Sequence, residues 1–345
     1  MNLNELKKKL EGFIPDEIET TIEDWIDTGH IGLNCLISAD PYKGIPTGKI
    51  IQFAGEQSTG KTYIAHNIIK QAQQKGYDVV IFDSEFAQDK EDLEKKGIDL
   101  KRVLIIPEGS LEKFRTKLVN LLDSISKNDK VMIVVDSLGN FYTEKEYKDA
   151  STGTDKADMT RAKLLKSIFR LASTKIGQLQ IPMIIINHVY ADQSSFIKRN
   201  IVSGGSGSLY SSSTIIELTK AQDKDSKGRN IGVIITGKTI KSRMAKEKMK
   251  VKIAVHFEKG ISRYSGLVDF AIEGGFIKDL GRKRYEYNGE KITIKDMNKE
   301  FWENLLQNGF ADYLRNVFAY KNDLEGDIIE TEQELLLEEG DLNEW

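Results

Sequence analysis

The sequence predicts an α/β fold, a mostly parallel twisted sheet with helices on both faces. Three observations lead there. Short β-branched apolar runs recur along the chain, segments of helical period separate them, and the runs are apolar throughout rather than alternating. Continuous apolar strands interleaved with helices belong to parallel sheets that are covered on both sides.

In chain order, residues 3–26 place Leu3, Leu6, Leu10 and Phe13 on one face of an expected amphipathic helix. Such a helix needs a partner, and 1–30 reads as a separate N-terminal helical segment. The first strand is KIIQFA (49–54), followed by a helix near 61–75. Strands VVIFD (79–83) and VLII (103–106) precede a helix over 110–126, and VMIVVD (131–136) precedes one over 156–176. That last helix has start signals in Asp155 and Asp158 and an apolar stripe at Leu164, Leu165, Ile168, Phe169 and Ala172. Strand MIIIN (183–187) closes the alternating part. From 214 onward TIIEL, GVIITGKTI and KVKIAVHF follow one another without helices, which predicts antiparallel strands added to the sheet. Residues 31–262 thus read as one core. Segment 263–322, with a hairpin signal in RKRYEYNGEKITI, reads as a small C-terminal domain. Between MIIIN and TIIEL lies VSGGSGSLYSSS (202–213), whose glycines and serines predict a segment unable to pack.

Composition narrows the class. The chain has 345 residues, 39% hydrophobic and 30% charged, which supports a substantial core and a soluble surface. One cysteine, Cys35, excludes an internal disulfide framework and suits a reducing, cytoplasmic setting; it reads as a small buried hydrophobe. The N-terminus lacks an apolar signal region, and no apolar run has a membrane-spanning length. The formal charge of −3 conceals an asymmetry: residues 323–345 hold ten acidic and no basic side chains, leaving 50 basic and 43 acidic in the rest. A basic body suits a polyanionic partner, with the acidic tail competing for the same surface; a disordered solvating end is the alternative.

GEQSTGKT (55–62) stands between the first strand and its helix and matches G-x-x-x-x-G-K-[ST]. In this motif, Gly55, Glu56, Gln57, Ser58, Thr59 and Gly60 curl the backbone into an anion nest. Lys61 supplies charge to the β- and γ-phosphates, Thr62 a hydroxyl to Mg²⁺, and Tyr63 continues into a helix whose positive end faces the same phosphates. The second part of such a site is a carboxylate at the end of an apolar strand, where both Asp136 and Asp83 qualify. Glu85 lies just beyond the strand ending at Asp83, where a carboxylate can deprotonate an attacking water.

GEQSTGKT, FDSEFA (82–87), VVDSLGNF (134–141), DMTRAKLLKSIFR (158–170), INHVY (186–190) and SGGSGSLYSSSTII (203–216) together resemble RecA-type recombinases, in particular the phage UvsX branch. The resemblance covers about residues 30–275. It implies a RecA-like P-loop ATPase core, with ATP and Mg²⁺ as cofactors, that forms helical filaments on single-stranded DNA and exchanges strands with homologous duplex DNA. A recombination mediator and a single-strand-binding protein are further implied partners. It also implies site roles: Asp136, with Thr62, on the metal side; Glu85 as catalytic base; His188 as γ-phosphate sensor; Lys241 and Arg243 reaching the ATP of a neighbouring copy. The chain departs from the family in lacking a base-stacking tyrosine within AQDKEDLEK (87–95), which leaves Asp89 to contact the adenine.

Two segments leave the same sheet edge and read as DNA-binding loops, 148–161 and 189–213. In the first, Met159 is the candidate wedge and Arg161 the phosphate ligand; in the second, Phe196 and Ile197 are wedges and Lys198 and Arg199 phosphate ligands. Gly204, Gly205 and Gly207 offer backbone N–H groups. The rival functions are a ring-forming helicase or motor ATPase on the same core, and a structural ATPase that binds no DNA.

Overall fold

A computed structural model describes residues 21–153, 160–191, 200–202, 205–224 and 228–320. The strands are β1 (Trp25–Ile26), β2 (Ile45–Pro46), β3 (Ile50–Gly55), β4 (Asp78–Asp83), β5 (Val103–Pro107), β6 (Val131–Asp136), β7 (Met183–Ala191), β8 (Asn200–Val202), β9 (Thr214–Lys224), β10 (Asn230–Ser242), β11 (Lys250–His256) and β12 (Gly260–Ile261). A C-terminal ribbon adds β13 (Lys278–Asp279), β14 (Arg284–Tyr287) and β15 (Glu290–Thr293). The helices are α1 (Ile31–Ser38), α2 (Lys61–Gln74), α3 (Lys90–Lys95), α4 (Leu111–Ser124), α5 (Glu144–Thr152), α6 (Thr160–Leu179), α7 (Gly205–Ser211), α8 (Leu267–Glu273), α9 (Lys299–Leu305) and α10 (Ala311–Phe318).

The main sheet runs β12-β11-β10-β9-β3-β7-β6-β4-β5, with β8 paired to β7. All pairs from β9 to β5 are parallel, and β10, β11 and β12 extend the sheet antiparallel. The parallel part therefore includes β9, one strand beyond where the sequence predicts the change. Helix α7 explains this: it supplies a crossover that returns the chain beside β3 in parallel sense.

Each parallel strand sends alternate side chains to opposite faces, and both faces are packed. Ile51, Phe53, Val79, Ile81, Met132, Val134, Ile184 and Ile186 join one apolar cluster with α1 and α2. Ile50, Val80, Phe82, Ile133, Val135, Met183 and Ile185 join the other with α4 and α6. Phe114 of α4 is stacked on Phe141 at 4.6 Å and meets Phe82 edge-on at 5.0 Å. Cys35 lies buried in the first cluster, and burial raises its thiol pKa.

Three expectations are revised. Residues 25–26 form β1, paired with β2, so the N-terminal helix does not extend to 26; residues 1–20 lie outside the described residues. The expected loop 148–161 is helical at both ends. Thr143 caps α5 with a reciprocal capping box, Gly153 ends it, and α6 starts at Thr160. The Gly/Ser run is a helix over Gly205–Ser211, with Ser208 and Ser212 fully buried. Gly207 permits this packing, because a Cβ there would come within 2.8 Å of the Lys166 backbone. The segment packs because small residues let its backbone approach α6.

The C-terminal segment shares its core with the rest. Trp302, Phe310, Leu314 and Phe318 belong to the same apolar cluster as Ile26, α1 and α2. Arg315 pairs with Asp40 at 3.0 Å, and the Lys246 amide donates to the Phe318 carbonyl.

Candidate active site

The carboxyl ends of β3, β7, β6 and β4 are neighbours, and the register aligns Gly55 with His188 and Asp83 with Asp136. Ligands of open parallel sheets bind at this edge. Here a cavity of about 230 Å³ is lined by the phosphate loop from Gln57 to Tyr63, with Glu85, Asp136, Ile186 and His188.

Gly60 occupies the N-cap of α2 at φ +93°, and no side chain caps the helix. A side chain at this position would be strained and would also strike Ile235. The first-turn N–H groups of α2 are thus left for an anion, on the positive end of the helix dipole. Lys61, buried at the loop base, donates to the carbonyls of Gly55 (2.9 Å) and Glu56 (2.7 Å). Burial lowers the Lys61 pKa, while Glu85 and Asp136 raise it. Thr59 braces the loop by donating to the Glu56 carbonyl, and Glu56, Gln57 and Ser58 face solvent. Tyr63 leaves the loop on α2 with Lys96 over its ring.

Thr62 donates to Asp136 Oδ2 at 3.0 Å. Asp83 serves the backbone instead. Its carboxylate accepts from the N–H groups of Glu85 and Gln88, fixing the turn after β4. Asp136 is thus the carboxylate beside the Thr62 hydroxyl. Its pKa is raised to about 6, chiefly by burial and then by the nearby Glu85 charge. A buried carboxylate beside a hydroxyl, facing an anion nest, is a donor set suited to a hard cation carried by phosphates.

His188 Nε2 lies 3.0 Å from Glu85 Oε1. This hydrogen bond is the main reason the Glu85 carboxyl pKa falls below its ordinary value, against the effect of its burial. Since the carboxylate can only accept, His188 carries its proton on Nε2.

Asp89 caps α3, accepting from the Glu91 N–H. Lys241 and Arg243 do not line this chain's cavity. Lys241 donates to the carbonyls of Leu209 and Tyr210, and Arg243 to that of Tyr210, at the C-terminal end of α7. Arg161 donates to the Leu138 and Gly139 carbonyls beyond β6. Gly205 begins α7 and Gly207 abuts α6. Met159, Phe196, Ile197, Lys198, Arg199 and Gly204 lie outside the described residues.

Sequence reasoning missed Gln88 and His66. Gln88 donates to Asp136 Oδ2 at 3.1 Å, and His66 meets Gln88 at 2.9 Å. A signal existed for His66, which stands four residues after Thr62 and so on the same face of α2.

A phosphate loop opening a helix, with polar groups converging from three neighbouring strand ends, defines a nucleoside-triphosphate-binding α/β protein of the phosphate-loop class. The RecA N-terminal domain family matches residues 14–262, and the chain belongs to that family. It is 34% identical over 321 residues to the recombination and repair protein of Enterobacteria phage T4, spanning 88% of this chain and 81% of that one. It is 29% identical over 285 residues to protein RecA of Ureaplasma parvum serovar 3, covering 81% of each chain. In structure it resembles the RadB recombinase with a TM-score of 0.52 at 19% identity, covering 68% of this chain and 98% of the other, a likeness of fold.

Proposed function

We propose that this chain is an ATP-dependent DNA recombinase that assembles as a helical filament on single-stranded DNA and exchanges strands with a homologous duplex. The observation that carries the reading is the convergence of Lys61, Thr62, Asp136, Glu85 and His188 on one cavity at the sheet edge. Strand β7, which delivers His188, runs directly into the candidate DNA segment 189–213, and β6, which delivers Asp136, is followed by α5, whose second half opens the candidate segment 148–161.

The α2 N–H groups and Lys61 hold the phosphates, and Thr62 and Asp136 would hold Mg²⁺, which when bound neutralises charge on the β- and γ-phosphates. Glu85 accepts the proton of the water that attacks the γ-phosphorus. While His188 donates to it, Glu85 is a weakened base. A γ-phosphate that takes the His188 N–H releases Glu85 to act, so the resting pair restrains hydrolysis until a triphosphate is seated. Lys241 and Arg243 provide the link to a neighbouring copy. Drawn to that copy's phosphates, they would leave the carbonyl end of α7, which is part of the second candidate DNA segment. ATP and DNA affinities then rise together, since binding linkage is reciprocal.

The test is steady-state ATP hydrolysis with and without single-stranded DNA, paired with electron microscopy of the same mixtures. DNA-stimulated hydrolysis and long helical filaments are the expected results, both lost in Lys61→Ala. Closed rings would favour the motor-ATPase reading, and hydrolysis indifferent to DNA would favour a structural ATPase.

A further inference from the structure

A chain of three side chains runs from the protein surface to the metal-side carboxylate. Lys96, held on α3's following turn by Asp92, lies 3.2 Å from His66 Nδ1. His66 Nε2 lies 2.9 Å from Gln88 Oε1, and Gln88 Nε2 lies 3.1 Å from Asp136 Oδ2. The direction of every bond follows from the end groups. An ammonium can only donate, so His66 Nδ1 is its acceptor and the ring proton sits on Nε2. That proton goes to the Gln88 amide oxygen, which turns the amide N–H₂ toward Asp136. At the far end a carboxylate can only accept while ionised, so the chain is consistent from both ends.

Nothing in phosphate binding requires this chain, and its members are costly to keep. His66 is 6% exposed, and burial first, then the Lys96 charge, lowers its pKa, so it is neutral as the bonding requires. Asp136 is 4% exposed and feels the charges of Glu85 and Asp83. Its Oδ2 has two donors, Thr62 and Gln88, and only Thr62 belongs to the phosphate-loop motif. A ligating carboxylate swings about its side-chain torsions unless an outer partner fixes it, and loss of such a partner typically costs about 10- to 100-fold in metal affinity.

We propose that Gln88 is a positioning residue for Asp136, oriented through His66 by Lys96, and that this relay sets the affinity of the site for Mg²⁺. The inference rests on the assignment of Thr62 and Asp136 to the metal side.

The experiment uses the full chain and a fluorescent ADP analogue, whose binding is measured in EDTA and across a Mg²⁺ titration. Gln88→Leu is expected to raise the Mg²⁺ concentration at half-maximal effect about tenfold or more, with binding in EDTA unchanged to within about twofold. His66→Leu should shift it in the same direction, and His66→Gln, whose amide can still donate to Gln88, should restore it to within about twofold of wild type. A Gln88→Leu titration that overlays the wild type would overturn the inference, as would equal weakening with and without Mg²⁺, the mark of a merely structural role. Wild-type binding indifferent to Mg²⁺ would instead overturn the metal-side assignment itself, and the inference with it.

Discussion

Asp136 illustrates how a site residue trades stability for function. Burial and the neighbouring Glu85 push its carboxyl up to about 6, above the ordinary value near 3.8. The folded chain therefore binds this proton more tightly than the unfolded chain does. Its contribution is most favourable below pH 4 and is lost as pH rises through about 6, a difference of about 3 kcal/mol. Asp136→Asn removes the buried charge while keeping an oxygen for Thr62 and Gln88. The nucleotide-free variant should be more stable than wild type above pH 6, by up to about 3 kcal/mol, and show little gain at pH 4. Urea unfolding at the two pH values measures this; equal stability at both would contradict the account. At neutral pH the same variant should lose Mg²⁺-dependent nucleotide binding. Glu85 has the opposite sign. Its carboxyl pKa is lowered by His188, so its contribution is present above the ordinary carboxylate range and is lost on acidification. Glu85→Gln should bind ATP normally but hydrolyse it about 10² to 10⁴ times more slowly, as single-turnover measurements would show.

At the level of elements, legibility followed physical signal strength. The phosphate loop was readable because backbone geometry fixes its spacing, and β3, β4, β6 and β7 were readable because burial on both faces demands continuous apolar runs. Helix α7 was not readable. Its Gly205, Ser206, Gly207 and Ser208 have poor helix propensity, and tertiary packing on α6 is what holds them. The Ser212 hydroxyl adds an anchor to buried Gln52, 160 residues away, a partner no local pattern reveals. Lys96 and Gln88 were hidden for the same reason, and helical spacing placed His66 beside Thr62 without revealing its partners, since these contacts depend on the β3–α2–β4 arrangement. Gly207→Val tests the α7 packing, since its Cβ would meet Lys166 backbone that cannot swing aside. A loss of about 1–3 kcal/mol in urea unfolding is expected. Unchanged stability would mean that α7 does not rest on α6.

For the whole molecule, the charge distribution and the assembly matter most. The body carries an excess of basic residues and segment 323–345 ten acidic ones. If the tail competes with DNA for that surface, its deletion should tighten single-stranded DNA binding and change the slope of log affinity against log salt. Identical slopes would leave the tail a solvating end. Arg315–Asp40 and the shared apolar cluster tie the C-terminal helices to α1, so deleting residues beyond 263 should unfold the core rather than release a separate domain. On this reading, ATP bound between copies drives homologous pairing. Incubating the protein and ATP with circular single-stranded DNA and a linear homologous duplex tests it most directly. Joint molecules that require ATP and homology are the predicted result; none with homologous DNA, or unwinding of the duplex regardless of sequence, would contradict it.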